Sequence, residues 1–235
     1  MKMKIDSINV GIIGTGHLGR IHCKLLKEIS ECNKQIEFIG IFDKDESIKQ
    51  MVANEYNVKA FNDFDDMLNE INALVIVTPT TTHFEIARQA AQKGINLFIE
   101  KPVTSELEQA NRLLEYEKKI KIQIGHVERF NPALIALENH NINPMFIETH
   151  RLAQFNPRGT DVSVIQDLMI HDIDIILHLV NSPLTKVDAN GVAVISDAID
   201  IANARLQFEN GCTANITASR ISLKKMRKMR IFQRR

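Results

Sequence analysis

Several features that mark specialised classes of protein are missing from this chain of 235 residues. Its 29 basic side chains balance 29 acidic ones, and a formal net charge of zero favours neither a nucleic-acid partner nor a membrane surface. No apolar run approaches the roughly 20 residues that a membrane span needs, and the N-terminus lacks the apolar stretch of a signal peptide. An apolar content of 44% is that of an ordinary globular protein with one large or two modest domains.

Cysteine is scarce as well. Cys23, Cys32 and Cys212 form an odd, scattered set without C-x-x-C spacing, which predicts a reducing, cytoplasmic location. Clustered cysteines and H-E-x-x-H are both absent, so no metal site is predicted.

Charge is unevenly distributed although the total is balanced. From Arg220 to Arg235 there are eight basic side chains and no acidic one, with apolar residues interspersed. The segment is either a nucleic-acid patch or a strand with a solvated or phosphate-facing side. No aromatic platform for stacking bases accompanies it, so we favour the strand and predict no nucleic-acid partner.

The most informative stretch runs from Val10 to Gly19 and reads V-G-I-I-G-T-G-H-L-G. An apolar run ends in the pattern G-x-G-x-x-G, and Ile21, Leu25 and Ile29 then share one face of a predicted helix. A strand, a glycine turn and a helix in this order predict the start of a dinucleotide-binding fold, with the pyrophosphate at the helix N-terminus. The predicted cofactor-binding residues of this turn are Gly14, Thr15, Gly16, His17, Leu18 and Gly19.

An acidic residue ends the second predicted strand. Asp43 lies 24 residues after Gly19 and is suited to accept hydrogen bonds from the adenosine ribose, which favours NAD and would repel the 2′-phosphate of NADP. The neighbouring Lys44 would soften that repulsion, so NADP stays open as an alternative. A competing interpretation makes Asp43 the N-cap of the helix that follows.

Strands and helices alternate up to Gly125, which predicts an α/β fold: an N-terminal Rossmann domain with a doubly wound parallel sheet over residues 1–125. Within it, Thr82-x-x-Glu85 has the form of a capping box and predicts a helix that begins at Thr82. Residues 126–235 contain several strand-like segments and one long helix. They predict a second, α+β domain for substrate binding or oligomerisation, built on an open, mostly antiparallel sheet.

Ligands of a doubly wound sheet bind beyond the carboxyl ends of its strands. Thr78-Pro79, Glu100-Lys101-Pro102 and Gly125-His126 all follow predicted strands, so their loops are expected to form a row along one edge. Lys101 could there hydrogen-bond a substrate hydroxyl and stabilise the alkoxide that develops as hydride leaves. The competing interpretation is a surface lysine paired with an acid.

The long helix predicted over residues 164–180 carries Asp167, His171, Asp174 and His178 on one stripe. Because the rest of this helix is largely apolar, the polar stripe should face a cleft or a polar partner. His171 is suited to accept a proton near neutral pH, and Asp167 to orient its ring or to bind a substrate hydroxyl. A buried histidine with a purely structural role stays open as the alternative.

These motifs together resemble the Gfo/Idh/MocA family of oxidoreductases. The resemblance rests on the glycine turn, on Thr78-Pro79 followed by His83, on Glu100-Lys101-Pro102, and on Asp167 with His171. It implies NAD(P)-dependent hydride transfer at a secondary hydroxyl of a sugar or cyclitol. It also implies that Lys101 and His171 handle the proton and that Asp167 positions the substrate. The same resemblance assigns Thr78, Pro79, His83, Glu100 and Lys101 to the cofactor site.

Within that family, residues 125–132 and 167–174 resemble the branch that contains UDP-N-acetylglucosamine 3-dehydrogenases. This implies a nucleotide-sugar substrate, with Arg129, Asn131, Arg151 and Arg158 as groups for a phosphate or the sugar. One alternative is a reductase of another small substrate, such as a cyclitol, an imine or a bilin. The other is a non-catalytic NAD-binding sensor or scaffold.

Family members usually continue through more strands than this chain, which ends at Arg235. The resemblance therefore implies an incomplete second domain with an unprotected sheet edge. Because the sheet of relatives commonly builds dimers or tetramers, a homo-oligomer through the second-domain sheet is also expected.

Overall fold

A computed structural model describes residues 7–156 and 162–234. The contacts within the chain divide into two compact units, residues 1–125 and residues 126–235. No helix in the described ranges combines the length and the apolar character that crossing a bilayer requires.

The first unit contains a six-stranded parallel sheet flanked by helices, which confirms the predicted Rossmann fold. Its strand order is β3-β2-β1-β4-β5-β6. The strands are β1 (Ile8–Ile13), β2 (Ile36–Phe42), β3 (Lys59–Ala60), β4 (Ala73–Ile76), β5 (Asn96–Glu100) and β6 (Ile122–Gly125). The helices are α1 (His17–Cys32), α2 (Glu46–Tyr56), α3 (Phe64–Glu70), α4 (Thr80–Gln92) and α5 (Leu107–Leu114).

The strands of this sheet are apolar on both faces because helices cover both. On β1, Ile12 packs in a cluster with Cys23 of α1 and Val52 of α2, whereas the next residue, Ile13, packs in another cluster with Ala87 of α4. Successive side chains of a strand point to opposite faces. A continuous apolar run is therefore what a central strand between two layers of helices needs.

Two local expectations differ from the structure. The apolar face predicted for α1 is exposed to solvent, since its residues Ile21, Leu25 and Ile29 are between 42% and 48% exposed. The small residues Gly19 and Cys23 are buried instead, and at Gly19 the helix lies so close to the end of its strand that even a Cβ would not fit. The predicted capping box is wrong too: α4 begins at Thr80 after Pro79, whose fixed φ suits the start of a helix.

The second unit has a five-stranded mixed sheet in the order β11-β7-β10-β9-β8. Only β7 and β10 pair in parallel, which confirms the prediction of a mostly antiparallel sheet. The strands are β7 (Phe146–Leu152), β8 (Leu184–Val192), β9 (Ile201–Phe208), β10 (Thr213–Ser219) and β11 (Met226–Phe232). The helices are a 3₁₀ helix (Val127–Phe130), α6 (Pro132–Ile135), a π-helical turn (Ile165–Met169) and α7 (Ile170–Leu179).

One face of this second sheet is buried and the other is open. Ile147 of β7 and Ile216 of β10 share a core cluster with Met169 and with Ile176 of α7. On β9, buried and exposed residues alternate along most of the strand. The predicted long helix corresponds to the π-helical turn followed directly by α7, so its helical phase changes near Asp167.

Candidate active site

The three glycines of the turn between β1 and α1 meet three different steric requirements. Gly14 has φ of +92°, a left-handed conformation that L side chains rarely adopt. A Cβ on Gly19 would lie 2.0 Å from the carbonyl oxygen of Gly14, so only glycine lets the helix approach the strand this closely. A Cβ on Gly16 would meet no atom within 4 Å. Gly16 therefore leaves open space above the turn, as the close approach of a pyrophosphate would require.

The N-terminus of α1 suits an anionic ligand. The helix begins at His17, no side chain caps it, and its first turn carries no acidic residue. The first backbone N–H groups of a helix lack partners within it and carry a partial positive charge. Of the predicted residues in this turn, Thr15 is fully buried, whereas His17 and Leu18 are exposed.

Asp43 is tied directly to the glycine turn. Its Oδ2 accepts hydrogen bonds from the backbone N–H of Thr15 at 2.6 Å and from the Thr15 hydroxyl at 2.9 Å. Asp45, not Asp43, is the N-cap of α2, because its carboxylate accepts the N–H of Ile48. The interpretation of Asp43 as that N-cap is therefore wrong.

A cavity of about 560 Å³ lies over these groups. Six predicted cofactor residues line it together, namely Gly14, Gly16, Asp43, Lys44, Thr78 and Pro79. Its apolar walls include Phe42, Phe64 and Ile86, which sequence reasoning did not single out. The polar groups of the glycine turn suit the phosphates of a dinucleotide, and the apolar walls beside them suit its base.

The Glu100-Lys101 turn is held from α1 by a histidine that sequence reasoning missed. Nε2 of His22 lies 2.8 Å from Oε1 of Glu100, and the other carboxylate oxygen accepts the backbone N–H of Lys101 at 3.3 Å. A Cβ on Gly125 would lie 2.9 Å from this carboxylate, so the end of β6 packs against it. The peptide bond between Lys101 and Pro102 is cis.

His83 is buried and is not one of the residues that line this cavity. The ring is 1% exposed and spans two loops, with Nδ1 at 3.0 Å from the carbonyl oxygen of Pro102 and Nε2 at 2.8 Å from that of Thr78. Its position fits a residue that holds the Thr78-Pro79 loop against the Lys101-Pro102 turn.

In the second unit, Arg129 forms a bidentate ion pair with Asp174. Nε and Nη2 each donate to one carboxylate oxygen at 2.7 Å. Hydrogen bonding to Asp174 raises the pKa of Arg129. Burial by itself would raise the pKa of Asp174, but the bonds from Arg129, with His126 and His178 nearby, lower it below its ordinary value.

Arg151 is buried and similarly engaged. It donates from Nε and Nη2 to the carboxylate of Asp172 at 2.9 and 3.0 Å, and from Nη1 to Glu128 at 3.3 Å. Burial alone would lower the pKa of Arg151, yet these two carboxylates raise it. Sequence analysis did not single out Asp172, because this residue lies off the predicted polar stripe of the helix. Its partner, Arg151, is on β7 and becomes apparent only from the structure.

The other predicted substrate residues of this unit are more scattered. Asn131 caps α6, because its Oδ1 accepts the N–H of Ala133 at 3.0 Å. His171 is half-buried in the first turn of α7, next to Asp172, and His178 is exposed. Asp167 lies in the π-helical turn and lines a second cavity, of about 500 Å³. Arg158 lies outside the described residues.

A parallel sheet in this order, with a glycine turn that leaves room for a pyrophosphate, defines a dinucleotide-binding protein of the Rossmann class. The model of an oxidoreductase family with an NAD-binding Rossmann fold, GFO_IDH_MocA, matches residues 8–126. The model of the C-terminal domain of the same family matches residues 140–234. The chain belongs to this Gfo/Idh/MocA family of NAD-binding oxidoreductases.

Relatives cover nearly the whole chain. UDP-N-acetylglucosamine 3-dehydrogenase of Acidithiobacillus ferrooxidans is 40% identical over 96% of this chain and 71% of its own length. A solved structure of that enzyme superposes with a TM-score of 0.88, covering 96% of this chain and 74% of the other. The NAD(+)-dependent scyllo-inositol 2-dehydrogenase of Bacillus subtilis is 27% identical over 92% of this chain and 68% of its own length.

Proposed function

We propose that this chain is an NAD-dependent dehydrogenase that oxidises a secondary hydroxyl of a nucleotide sugar such as UDP-N-acetylglucosamine. The observation that carries the proposal is the 40% identity, over 96% of the chain, to a UDP-N-acetylglucosamine 3-dehydrogenase. The inositol dehydrogenases among the relatives are more distant, at 24–27% identity. A cyclitol is therefore the second candidate substrate.

The residues of the first unit would bind the cofactor and handle the substrate hydroxyl. NAD, when bound, accepts a hydride at C4 of its nicotinamide. The turn from Gly14 to Gly19 binds the pyrophosphate, and Asp43 accepts hydrogen bonds from the ribose. Lys101 hydrogen-bonds the substrate oxygen and stabilises its developing negative charge. The contact of His22 with Glu100 supports this role, because it restrains the backbone beside Lys101.

The residues of the second unit would complete the proton transfer. His171 accepts the hydroxyl proton, and Asp167 positions the sugar through a neighbouring hydroxyl. Support for this assignment comes from the position of the two groups: His171 is half-buried in the first turn of α7, and Asp167 lies in the π-helical turn directly before that helix.

The first experiment measures thermal unfolding with NAD, NADP, UDP-N-acetylglucosamine and myo-inositol. We expect NAD to raise the melting temperature more than NADP does, because Asp43 repels a 2′-phosphate. A further rise on adding UDP-N-acetylglucosamine, but not myo-inositol, supports the nucleotide sugar. A rise with myo-inositol alone would replace it with a cyclitol.

The catalytic assignment is tested by NADH formation in Lys101→Ala. We expect turnover to fall about 100-fold or more while NAD affinity stays within about twofold, because a proton-handling group contributes to the transition state. Lys118→Ala removes an exposed lysine of the same unit and serves as the matched control. Equal loss of turnover and NAD affinity in Lys101→Ala would contradict the role.

A homo-oligomer and a cytoplasmic, reducing location belong to the same proposal. The edge strand β8 supports the oligomer, because all nine of its residues are exposed, including Val187 and Val192. The three cysteines are all free, which suits a reducing compartment. Light scattering that finds only monomers at micromolar concentration would remove the oligomer from the proposal.

A further inference from the structure

The basic segment near the C-terminus forms β11, and its pairing with β7 sorts its charges between the two faces of the sheet. Directly opposed residues of antiparallel strands lie on the same face. Arg227 opposes Arg151, which is buried against Asp172 of α7, so Arg227 lies on the helix-covered face. Lys228 opposes His150 and lies on the other, open face.

The charges on the helix-covered side border the cavity that contains Asp167. This cavity of about 500 Å³ lies entirely within the second unit and has the size of a small-molecule site. Among the described residues, its polar lining comprises Gln154, Asn156, Asp167, Arg220, Lys225 and Arg227.

Most of the arginines of this unit are already engaged with carboxylates. Arg220 is 4% exposed and donates to Asp200 at 2.8 Å, to the Val162 carbonyl at 2.8 Å and to the Ser196 hydroxyl at 2.9 Å. Moving such a buried guanidinium towards a ligand would leave the Asp200 carboxylate uncompensated, which is unfavourable. Arg220 therefore forms a rigid wall of the cavity. Arg129 and Arg151 are held by Asp174 and Asp172 in the same way.

Lys225 and Arg227 differ from these arginines. Lys225 is exposed and has no ion pair among residues 7–156 and 162–234. The side chain of Arg227 is 73% exposed, and only Nη1 contacts a carboxylate, that of Glu128 at 3.2 Å. An exposed pair of this kind is weak, so the remaining guanidinium donors can turn to another anion.

We propose that Lys225 and Arg227 bind the phosphate groups of the substrate in this cavity. The inference rests on the proposed nucleotide-sugar function. A flexible ammonium next to a planar guanidinium is a combination suited to phosphate oxygens. Asp167 in the same cavity offers an acceptor for a sugar hydroxyl, so one cavity holds both kinds of group that a sugar phosphate requires.

The test measures binding of UDP-N-acetylglucosamine and of inorganic pyrophosphate by calorimetry, in the presence of saturating NAD. We expect the variant Lys225→Ala/Arg227→Ala to lose affinity for both ligands by about 100-fold, or about tenfold per cation. The affinity of the unmodified chain should fall with added salt, and that of the variant should fall less. Lys228→Ala, on the opposite face of the same strand, should bind as the unmodified chain does.

Two control measurements, the melting temperature and the NAD affinity, show whether the double variant still folds and binds its cofactor. Both side chains are exposed, so the double variant should keep the melting temperature and the NAD affinity of the unmodified chain. Equal affinities of the double variant and the unmodified chain for both anions would overturn the inference. If the unmodified chain binds pyrophosphate through these residues but not UDP-N-acetylglucosamine, the phosphate site stands and the proposed substrate fails.

Discussion

In the first unit the candidate cofactor-binding residues are positioned mainly by backbone and uncharged contacts, whereas in the described part of the second unit the candidate substrate-binding residues are positioned mainly by ion pairs. The first unit uses three glycines, an uncapped helix end and a carboxylate hydrogen-bonded to a threonine. The second unit uses arginines bound to carboxylates, namely Arg129 with Asp174, Arg151 with Asp172 and Arg220 with Asp200. The candidate residues of the first unit therefore depend on steric fit, and those of the second unit depend on charge compensation.

This difference determines what each unit tolerates. An added methyl group is harmful where backbones touch, and a removed charge is harmful where its partner is buried. Unfolding of the first unit can be followed by itself, because the chain has no tryptophan and both tyrosines, Tyr56 and Tyr116, lie in that unit. Tyrosine fluorescence follows that unit, and far-UV circular dichroism follows both.

The largest expected effect is in the second unit, where Asp172→Asn removes the main partner of the buried Arg151. We expect a loss of about 3–5 kcal/mol in the free energy of unfolding, because a buried guanidinium is left uncompensated. Urea unfolding followed by circular dichroism measures it. Asp188→Asn, in an exposed pair with Lys186, is the control and should lose less than about 1 kcal/mol. Equal losses in the two variants would remove charge compensation as the distinguishing property of this unit.

In the first unit the largest steric effect is expected for Gly19→Ala. The new Cβ would lie 2.0 Å from a backbone oxygen, so α1 must move away from β1. We expect a loss of about 1–3 kcal/mol, detected by tyrosine fluorescence during urea unfolding. An unchanged transition would show that the helix can move without penalty and that the glycine is not required for packing.

Gly16→Ala separates the fold of the first unit from its site. The added methyl meets no protein atom within 4 Å, so the free energy of unfolding should change by less than about 0.5 kcal/mol. NAD affinity should nevertheless fall about tenfold or more, because the methyl occupies the space assigned to the pyrophosphate. Calorimetry with NAD measures this. Unchanged affinity would mean that the dinucleotide does not approach the turn at Gly16.

Among the ion pairs of the second unit, the smallest effect is expected for the partly exposed pair of Arg129 and Asp174. The folded pKa of Asp174 lies below its ordinary value, so its contribution is complete above that value, about 3.9, and is lost as the pH falls through the folded pKa. Asp174→Asn should therefore lower stability by about 1 kcal/mol at neutral pH and by nothing in strong acid. Urea unfolding at several pH values tests this, and a difference independent of pH would contradict it.

Much of the first unit was predictable because its determinants are local. The apolar runs, the glycine spacing and Asp43 at the end of β2 all lie within one strand-turn-helix-strand unit, where spacing in sequence determines spacing in space. The errors there concern orientation: the solvent-facing side of α1 and the start of α4 depend on what packs against each helix. His22 was missed because its partner, Glu100, is 78 residues away.

In the second unit the sequence predicted the element types and the mostly antiparallel sheet, but not the pairing of its charges. The order of residues shows Arg129 and Arg151 as candidates for a phosphate, whereas the structure shows both engaged with carboxylates of α7. The spacing of Asp167 and His171 was visible, but the π-helical turn between Val164 and Ile170 was not. Such a turn depends on packing against the sheet more than on any local signal.

The sequence by itself determined the class of fold and the family, and it predicted where the dinucleotide binds, because periodicity and glycine spacing are properties of consecutive residues. Tertiary structure alone decided which basic side chains are compensated and which face an open cavity. Arg151 and Arg227 are equally charged and oppose each other across two strands. One is buried with two carboxylates and the other is exposed, because burial and charge pairing depend on elements that are distant in the chain.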